Sequence, residues 1–284
     1  MKVVNRILKS VESIPAFPAT GNKVAQLLSK TDYSVLQVAN VIKLDPSIAA
    51  NILKMANSAY FKAQHKISTI NDAVMYLGQK NLLRAIQTAG ISKYYNKKGI
   101  TGYFDSASDL WEHSVAVALM SQVLSRKIKG EEDTTLYTAA LLHDVGKIIM
   151  GEFVRDEMEK IFKLVKERDM SFLEAEEAVL GINHAELGGK IAEHWNFPAE
   201  IRDAIAFHHR PDLLQKSDKI MPWIVYMADE ACLMMGIGST VEGLAQRAVS
   251  ELLQKFNLRM KDLETSLVSL SDDLKSAREL VNII

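Results

Sequence analysis

Residues 141–147 read Leu-Leu-His-Asp-Val-Gly-Lys, which ends an apolar helical stretch with an imidazole, a carboxylate and an amine. Adjacent residues of a helix diverge by about 100°, so His143 and Asp144 can approach one point from neighbouring directions. Lys147 follows within one turn and shares that face. A helical ion pair would account for Asp144 and Lys147, but it leaves His143, beside two leucines, unexplained. The segment therefore favours a divalent metal held by His143 and Asp144.

Five more side chains that can bind a metal occur in the second half of the chain, each on a segment that otherwise predicts an apolar helix. They are His113, His184, His208, His209 and Asp229. A buried polar group without a partner is unfavourable, and seven separately buried groups would each need partners of their own. One shared site for a divalent metal is the most economical explanation, because imidazole and carboxylate together suit such an ion.

Taken singly, each of these residues also fits an ordinary structural role. His113 lies on the apolar stripe of its helix, where a histidine bonded to a backbone carbonyl is common. His208 ends a predicted helix, where a charged imidazole favours the negative end of the dipole. Asp229 lies in an almost wholly apolar helix, so it needs a metal, an arginine or a histidine beside it. The two remaining histidines, His65 and His194, are predicted to be structural or surface groups.

Helix signals occur along almost the whole chain. Ser171 with Glu174 fits a capping box, while Gly78 and Gly181 stand where helices should end. No stretch alternates with period two, so the predicted fold class is all-α. The predicted helices cover residues 2–12, 18–29, 35–43, 46–57, 70–77, 79–94, 107–128, 134–149, 155–168, 172–180, 184–195, 199–208, 221–235, 241–256 and 260–281.

The polar segment 96–105 is the predicted boundary between two helical halves. Residues 1–98 are expected to form an N-terminal lobe, and residues 105–236 a lobe that carries the histidines and aspartates. Residues 237–284 are expected to form a helical extension. Its apolar positions fit either a cap on the core or the contact of a homodimer.

The composition excludes several classes of protein. The 284 residues carry a formal net charge of −1, so there is no basic field for nucleic acid or an anionic membrane. No apolar run approaches the ~18 residues of a membrane span. The single cysteine, Cys232, lies in an apolar helix and excludes a disulfide framework. A cytoplasmic protein is expected.

The order of the histidines and aspartates resembles that of the HD superfamily of metal-dependent phosphohydrolases. The residues that match its ligands are His113, His143, Asp144 and Asp229. The residues that match the extra ligands of its two-metal branch, which includes the HD-GYP cyclic-dinucleotide phosphodiesterases, are His184, His208 and His209. Residues 143–147 resemble that branch's His-Asp-x-Gly-Lys motif. Arg210 stands where HD-GYP proteins have glutamate, and residues 211–214 replace their Gly-Tyr-Pro loop, so the resemblance supports metal binding more than cyclic-dinucleotide specificity.

The first half of the chain is similar to the HDOD domain, the HD-related output domain of bacterial signalling proteins. Residues 14–18 read Ile-Pro-Ala-Phe-Pro, residues 44–46 read Leu-Asp-Pro, and residues 53–61 read Leu-Lys-Met-Ala-Asn-Ser-Ala-Tyr-Phe. The Asn57-Ser58 pair is the most specific of these features. The resemblance covers roughly residues 6–212, and it implies a two-lobed all-α fold and a role in signal transduction.

Two functions from different classes are compatible with these observations. The first, which we favour, is a regulatory output module that carries a site for two divalent ions and acts on other signalling proteins. The second is a metal-dependent phosphohydrolase acting on a nucleotide or cyclic dinucleotide, in which Asp144 orients the nucleophile and Lys147 holds the phosphate. Iron, manganese, zinc and nickel all suit the predicted ligands.

Overall fold

The structure, a computed structural model, describes residues 3–14, 34–58, 65–95, 107–214, 220–238 and 253–268, with single positions 21, 23, 24, 27, 61, 63, 103 and 270. Its main helices are α1 (Val3–Glu12), α2 (Val35–Lys43), α3 (Pro46–Ala56), α4 (Ile70–Tyr95), α5 (Ala107–Lys129), α6 (Thr134–Leu142), α7 (Val145–Arg168), α8 (Phe172–Leu180), α9 (His184–His194), α10 (Ala199–Ala206) and α11 (Met221–Met234). A 3-10 turn covers Pro211–Leu213, and residues 253–255 and 260–268 are also helical. The described part contains no strand, which confirms the all-α prediction. Most of the predicted helices 18–29 and 241–256, and the end of the predicted helix 260–281, lie outside the described residues.

The chain divides into two compact units, residues 1–15 with 94–270 and residues 16–93 with 271–284. Helix α1, which the sequence assigned to the lobe 1–98, contacts α7 and α9 of the larger unit. It buries Ile7 and Val11 there. An apolar stripe shows that a helix is buried on one face, but it does not identify the surface that covers that face. The predicted domain limits stay a prediction.

Short-range polar contacts fix the helices of the smaller unit. Asp45 caps α3, since its Oδ1 accepts a hydrogen bond from the Ile48 amide at 3.1 Å. The Asn57 side chain joins the end of α3 to the following loop: its amide donates to the Leu53 carbonyl at 2.7 Å, and its Oδ1 accepts from the Ile67 amide at 2.8 Å. Asn57 therefore closes that helix and holds the loop, as its side-chain chemistry suggested.

Gly78 interrupts α4 as expected. The helix runs over Ile70–Tyr95, but Gly78 has φ +65° and ψ 174°, which is not helical. Glycine reaches positive φ without the steric penalty that other residues meet. The predicted helices 70–77 and 79–94 are therefore two helical segments joined at this glycine.

The predicted helices 134–149 and 155–168 are wrong in their limits. The chain leaves the helix at His143 and Asp144, so α6 ends at Leu142 and α7 runs unbroken from Val145 to Arg168. Asp144 has φ −97° and ψ 11°, outside the α-helical region. Because the apolar periodicity continues across the junction, it did not reveal this break. The consequence is that His143 and Asp144 project from a sharp bend between two helices.

Two glycines allow α7 and α9 to approach closely in the larger unit. A methyl group added to Gly146 would lie 2.0 Å from the His184 carbonyl oxygen and 2.9 Å from the Gly188 nitrogen. Such distances are far inside van der Waals contact, so only glycine fits at position 146. This crossing brings the start of α9, where His184 lies, next to Asp144.

No helix in the described part of the chain is both long and apolar enough to cross a membrane.

Candidate metal centre

The seven residues singled out from the sequence converge in the larger unit. His113 lies on α5 and Asp229 on α11; His143 and Asp144 form the bend between α6 and α7; His184 begins α9; and His208 and His209 follow α10. Six of the seven side chains are buried, and His209 is half-buried. His194 and His65 are exposed and take no part, as expected.

Asp144 lies at the middle of this cluster. Its Oδ2 is 3.7 Å from His113 Nε2 and 3.4 Å from His143 Nε2. Its Oδ1 is 3.5 Å from His184 Nε2 and 3.8 Å from His208 Nε2. The two carboxylate oxygens thus face two different groups of imidazoles.

The first group, which we term the His113 side, consists of His113, His143 and Asp229. Asp229 Oδ1 lies 3.1 Å from His113 Nε2 and 3.8 Å from His143 Nε2. Potential ligand atoms of His113, His143 and Asp144 all lie within 4.8 Å of one another. This side therefore combines two imidazoles with two carboxylates.

The second group, the His184 side, consists of His184, His208 and His209. Their ligand atoms and one from Asp144 also fall within 4.8 Å of one another. The Nε2 atoms of His184 and His209 are 2.9 Å apart. Two neutral ring nitrogens at that distance need either a proton or a cation between them, because their lone pairs repel.

Backbone carbonyls fix the orientation of three of the rings. The Nδ1 atoms of His113, His143 and His208 lie 2.9, 2.7 and 2.7 Å from the carbonyl oxygens of Ile237, Ala140 and Ile205. A carbonyl oxygen only accepts, so each Nδ1 carries the hydrogen. In the neutral rings, Nε2 then presents its lone pair to the centre of the cluster, as a metal ligand requires.

Several of these buried atoms lack a hydrogen bond within the described residues. They are His143 Nε2, Asp144 Oδ1, His208 Nε2 and Asp229 Oδ1, whereas Asp144 Oδ2 has the Lys147 ammonium beside it. Leaving buried polar atoms without hydrogen bonds costs about 1–3 kcal/mol each, and more for charged groups. A cation of charge +2 between the imidazoles and carboxylates would satisfy all of them, so the residues present fit a divalent metal.

The electrostatics keep the ligands in their metal-binding forms. Burial raises the pKa of Asp144, but the Lys147 ammonium and the His143 ring outweigh burial and hold it well below its usual range. Burial likewise raises the pKa of Asp229, but the His113 ring beside its Oδ1 outweighs burial and lowers the pKa. Burial lowers the pKa of His208 well below normal. Burial, followed by the charge of His184, lowers the pKa of His209 to about 3.

His143 differs from His208 and His209 in the direction of its pKa shift. Burial lowers its pKa, but the neighbouring carboxylate of Asp144 outweighs burial and raises it above the usual value. A divalent ion would replace that proton, because metal ligation requires the neutral ring. Metal binding is therefore expected to release a proton from His143.

Lys147 lies inside the cluster. Its ammonium is 2.9 Å from Asp144 Oδ2, and both side chains are almost fully buried. The ammonium also lies 5.5 Å from the centroid of the Tyr103 ring, within cation–π range. The Asp144–Lys147 ion pair proposed from the sequence as the simpler explanation thus exists, but in the interior and beside the imidazoles.

Sequence reasoning missed Glu176, which the structure places against His184. Glu176 lies on α8, is completely buried, and accepts hydrogen bonds at Oε2 from the His184 amide at 2.9 Å and its Nδ1 at 2.8 Å. The Tyr103 hydroxyl donates to the other oxygen, Oε1. A signal was present: Phe172, Glu176 and Leu180 follow a four-residue spacing, which puts a carboxylate on an apolar helical stripe.

Comparison with known proteins agrees with this architecture. The HDOD domain family matches residues 14–211 of the chain. The crystal structure of an HDOD domain protein of unknown function from Geobacter sulfurreducens superposes with a TM-score of 0.79 and 26% identity, covering 99% of this chain and 97% of that one. A candidate phosphohydrolase from Shewanella amazonensis SB2B superposes with a TM-score of 0.74 and 22% identity, covering 98% and 97%.

Two other similar proteins are longer than this chain. A candidate signal transduction protein from Marinobacter aquaeolei VT8 superposes with a TM-score of 0.73 and 16% identity, covering 100% of this chain and 61% of that one. An uncharacterized protein of Treponema pallidum (strain Nichols) is 22% identical over 210 residues, which are 73% of this chain and 40% of that protein. This chain thus spans about two fifths of the length of that relative. Because the family match covers most of the sequence, the chain belongs to the HDOD domain family.

Proposed function

We propose that this chain is a regulatory HDOD protein whose larger unit binds two divalent metal ions on either side of Asp144. The observation that carries the proposal is the set of buried lone pairs without hydrogen bonds on His143, Asp144, His208 and Asp229. Those atoms come from both sides of the cluster, and the seven potential ligand residues exceed the roughly four to six positions around a single transition-metal ion.

The ligand atoms divide naturally between two ions. One ion would be held by His113, His143, Asp229 and an oxygen of Asp144. The other would be held by His184, His208, His209 and the second oxygen of Asp144. Mixed imidazole and carboxylate ligands suit iron, manganese, zinc and nickel, among which availability often decides.

A regulatory role is supported by family membership and by the relative named as a candidate signal transduction protein. Fold resemblance by itself is a weak argument for catalysis, because function depends on the site. In this proposal the metal centre stabilises a defined arrangement of α5 to α11, and that arrangement presents the surface that other signalling proteins bind.

The metal content of the purified protein tests the two-ion proposal. Elemental analysis of the wild type should give close to two divalent ions per chain, after reconstitution if necessary. Asp144→Ala removes the ligand shared by both sides and should reduce the content to near zero. A wild type that takes up no metal from any of the four candidate ions would refute the proposal.

A phosphohydrolase is the second candidate, and the position of Lys147 favours it. Its ammonium lies beside Asp144 within the cluster, where a point charge could hold a phosphate. The half-buried His209 gives the cluster its contact with solvent. Divalent ions in such a site lower the pKa of water and polarise phosphoryl oxygens. In this candidate Asp144 orients the nucleophile, and Lys147 holds and neutralises the substrate phosphate.

Hydrolysis assays separate the two candidates. The reconstituted wild type would be assayed against bis-p-nitrophenyl phosphate, nucleotides and cyclic dinucleotides, beside Lys147→Met, which keeps the aliphatic length and removes the charge. If the enzyme candidate is right, the wild type turns over at least one substrate and Lys147→Met loses most of that activity while retaining metal. No turnover by the fully loaded wild type would leave the regulatory function alone.

A further inference from the structure

The histidines of the centre are held by two different kinds of partner. The Nδ1 atoms of His113, His143 and His208 face backbone carbonyl oxygens. The Nδ1 of His184 instead faces a carboxylate, Glu176 Oε2, at 2.8 Å. A carboxylate accepts a stronger hydrogen bond than a carbonyl, and it makes the opposite ring nitrogen a better electron donor.

Glu176 is held rigidly for this contact. Its Oε2 also accepts from the His184 backbone amide at 2.9 Å, so one oxygen fixes both the main chain and the ring of the same residue. Its Oε1 accepts from the hydroxyl of Tyr103. The side chain is completely buried, and Ser171 caps its helix by accepting from the Glu174 amide at 3.2 Å. Neither the carboxylate nor the imidazole can turn without breaking several contacts.

We propose that Glu176 is a positioning residue that fixes His184 in the Nδ1–H tautomer and thereby sets the metal affinity of the His184 side alone. The inference rests on the proposed two-ion centre and deepens it. Outer carboxylates of this kind typically contribute 10–100-fold to metal affinity. Glu176 contacts His184, whereas on the other side the Nδ1 atoms of His113 and His143 face carbonyl oxygens, so a change at Glu176 should leave the His113 side intact.

A purely structural role for Glu176 makes a different prediction. If Glu176 only capped the start of α9 through the His184 amide, its loss would lower the stability of the fold and would affect both sides of the centre equally. Selective loss of one ion and a change in the His184 tautomer are effects that a helix cap would not produce.

The test uses two substitutions of Glu176 and one control in the full-length chain. Glu176→Gln keeps the shape but removes the charge, and Glu176→Leu removes the acceptor. Glu159→Gln makes the same chemical change at an exposed position of α7. Each variant would be titrated with Mn²⁺, and the number and affinity of bound ions measured by calorimetry and elemental analysis.

In the wild type and Glu159→Gln we expect two bound Mn²⁺ ions per chain. In Glu176→Gln one ion should bind about 10-fold more weakly, and in Glu176→Leu about 100-fold more weakly, while the other ion binds as in the wild type. Metal affinities that are the same in all four proteins would overturn the inference. An equal loss of affinity at both sites of the Glu176 variants would overturn it as well.

A second readout needs no metal. Nitrogen-15 NMR of the metal-free protein reports which ring nitrogen of His184 carries the hydrogen. We expect Nδ1–H in the wild type and a mixture of tautomers in Glu176→Leu. If the wild type binds none of the four candidate ions, the two-ion proposal fails, and the tautomer still decides whether Glu176 fixes His184. If Glu176→Leu does not fold, Tyr103→Phe takes its place, because it loosens the carboxylate and leaves it in position. This variant should weaken the binding of the same single ion by a smaller factor. An unchanged affinity would count against the inference.

Discussion

On the His113 side of Asp144 the other potential ligands are two histidines and a second carboxylate, Asp229. On the His184 side the other potential ligands are three histidines. The ligands of the first side are almost fully buried, while His209 on the second side is half-buried. Among the ligands, the first side has two carboxylates, Asp229 and the shared Asp144, whereas the second side has only the shared Asp144. On the second side a further carboxylate, Glu176, lies behind His184.

Because of this difference, the two sides should differ in how tightly they hold an ion and how fast they exchange it. The buried His113 side, with two carboxylate ligands, should hold its ion tightly and exchange it slowly. The His184 side should exchange its ion faster and respond to anions, because it has one carboxylate ligand fewer and its His209 is half-buried. A substitution that changes one side, or the crossing of α7 and α9, tests this comparison.

Gly146→Ala should have the largest effect. The added methyl group would lie 2.0 Å from the His184 carbonyl oxygen, so α7 and α9 must separate. We expect a loss of about 1–3 kcal/mol in the free energy of unfolding, as for other overpacked sites, together with loss of the His184-side ion. Chemical denaturation and metal content would measure both. Normal stability with two bound ions would show that the close crossing does not position His184.

Asp229→Asn should affect the His113 side in preference to the other. The amide keeps the size of the side chain but removes the second negative charge beside His113 and His143. We expect at least a 10-fold weaker affinity for one ion, with the other unchanged within a factor of about three, as measured by Mn²⁺ titration. Equal weakening of both ions would mean that the two sides form a single electrostatic unit.

His209→Gln is the matching change on the other side and should have a smaller effect. His209 is the most exposed of the seven residues, and His184 and His208 remain in place. The His184-side ion should bind a few-fold more weakly, while the His113-side ion should not change. In the double variant with Asp229→Asn, the two losses of metal-binding free energy should add, because the substitutions act on different ions. Strong non-additivity would argue against two separate sites.

The smallest predicted effect is a pH dependence of the metal-free protein. The pKa of His209 is lowered to about 3, and that of His208 is also well below normal. Between pH 6.5 and about 3 the unfolded chain binds more protons at these residues than the folded one, so stability should fall as pH falls. His143, with its raised pKa, is protonated in both states over this range and does not oppose the trend.

Thermal unfolding in the presence of a chelator tests this expectation. The melting temperature should decrease between pH 6 and pH 5, below the range in which His143 changes its protonation and above the range in which the carboxylates titrate. It should decrease less in His209→Gln, which has lost one of the two imidazoles. A melting temperature that rises as the solution is acidified would contradict the predicted state of these rings.

Much of the fold could be predicted from local patterns in the sequence. The cap at Ser171, the break at Gly78 and the turn at Gly181 are all present, because capping depends on residues within one helical turn. The ligand set could also be proposed from the sequence, since hydrophilic groups on apolar helical stripes need a common explanation. Their convergence around Asp144 agrees with that proposal.

Other features could not be predicted, because they depend on contacts between distant residues. Apolar periodicity continues through His143 and Asp144, so only the backbone conformation in the structure reveals the break there. Glu176 lies eight residues before His184, on a separate helix. No rule of sequence spacing brings those two side chains together.

The sequence by itself determined that the chain is helical and that it belongs among HDOD domains, and it proposed seven side chains for a shared site. Only the tertiary structure decided that these side chains converge around Asp144 and that Glu176 contacts His184. The physical reason is the separation along the chain over which the interactions act. Helix formation and capping depend on residues a few positions apart, whereas the sharing of Asp144 depends on the close crossing of α7 and α9 at Gly146.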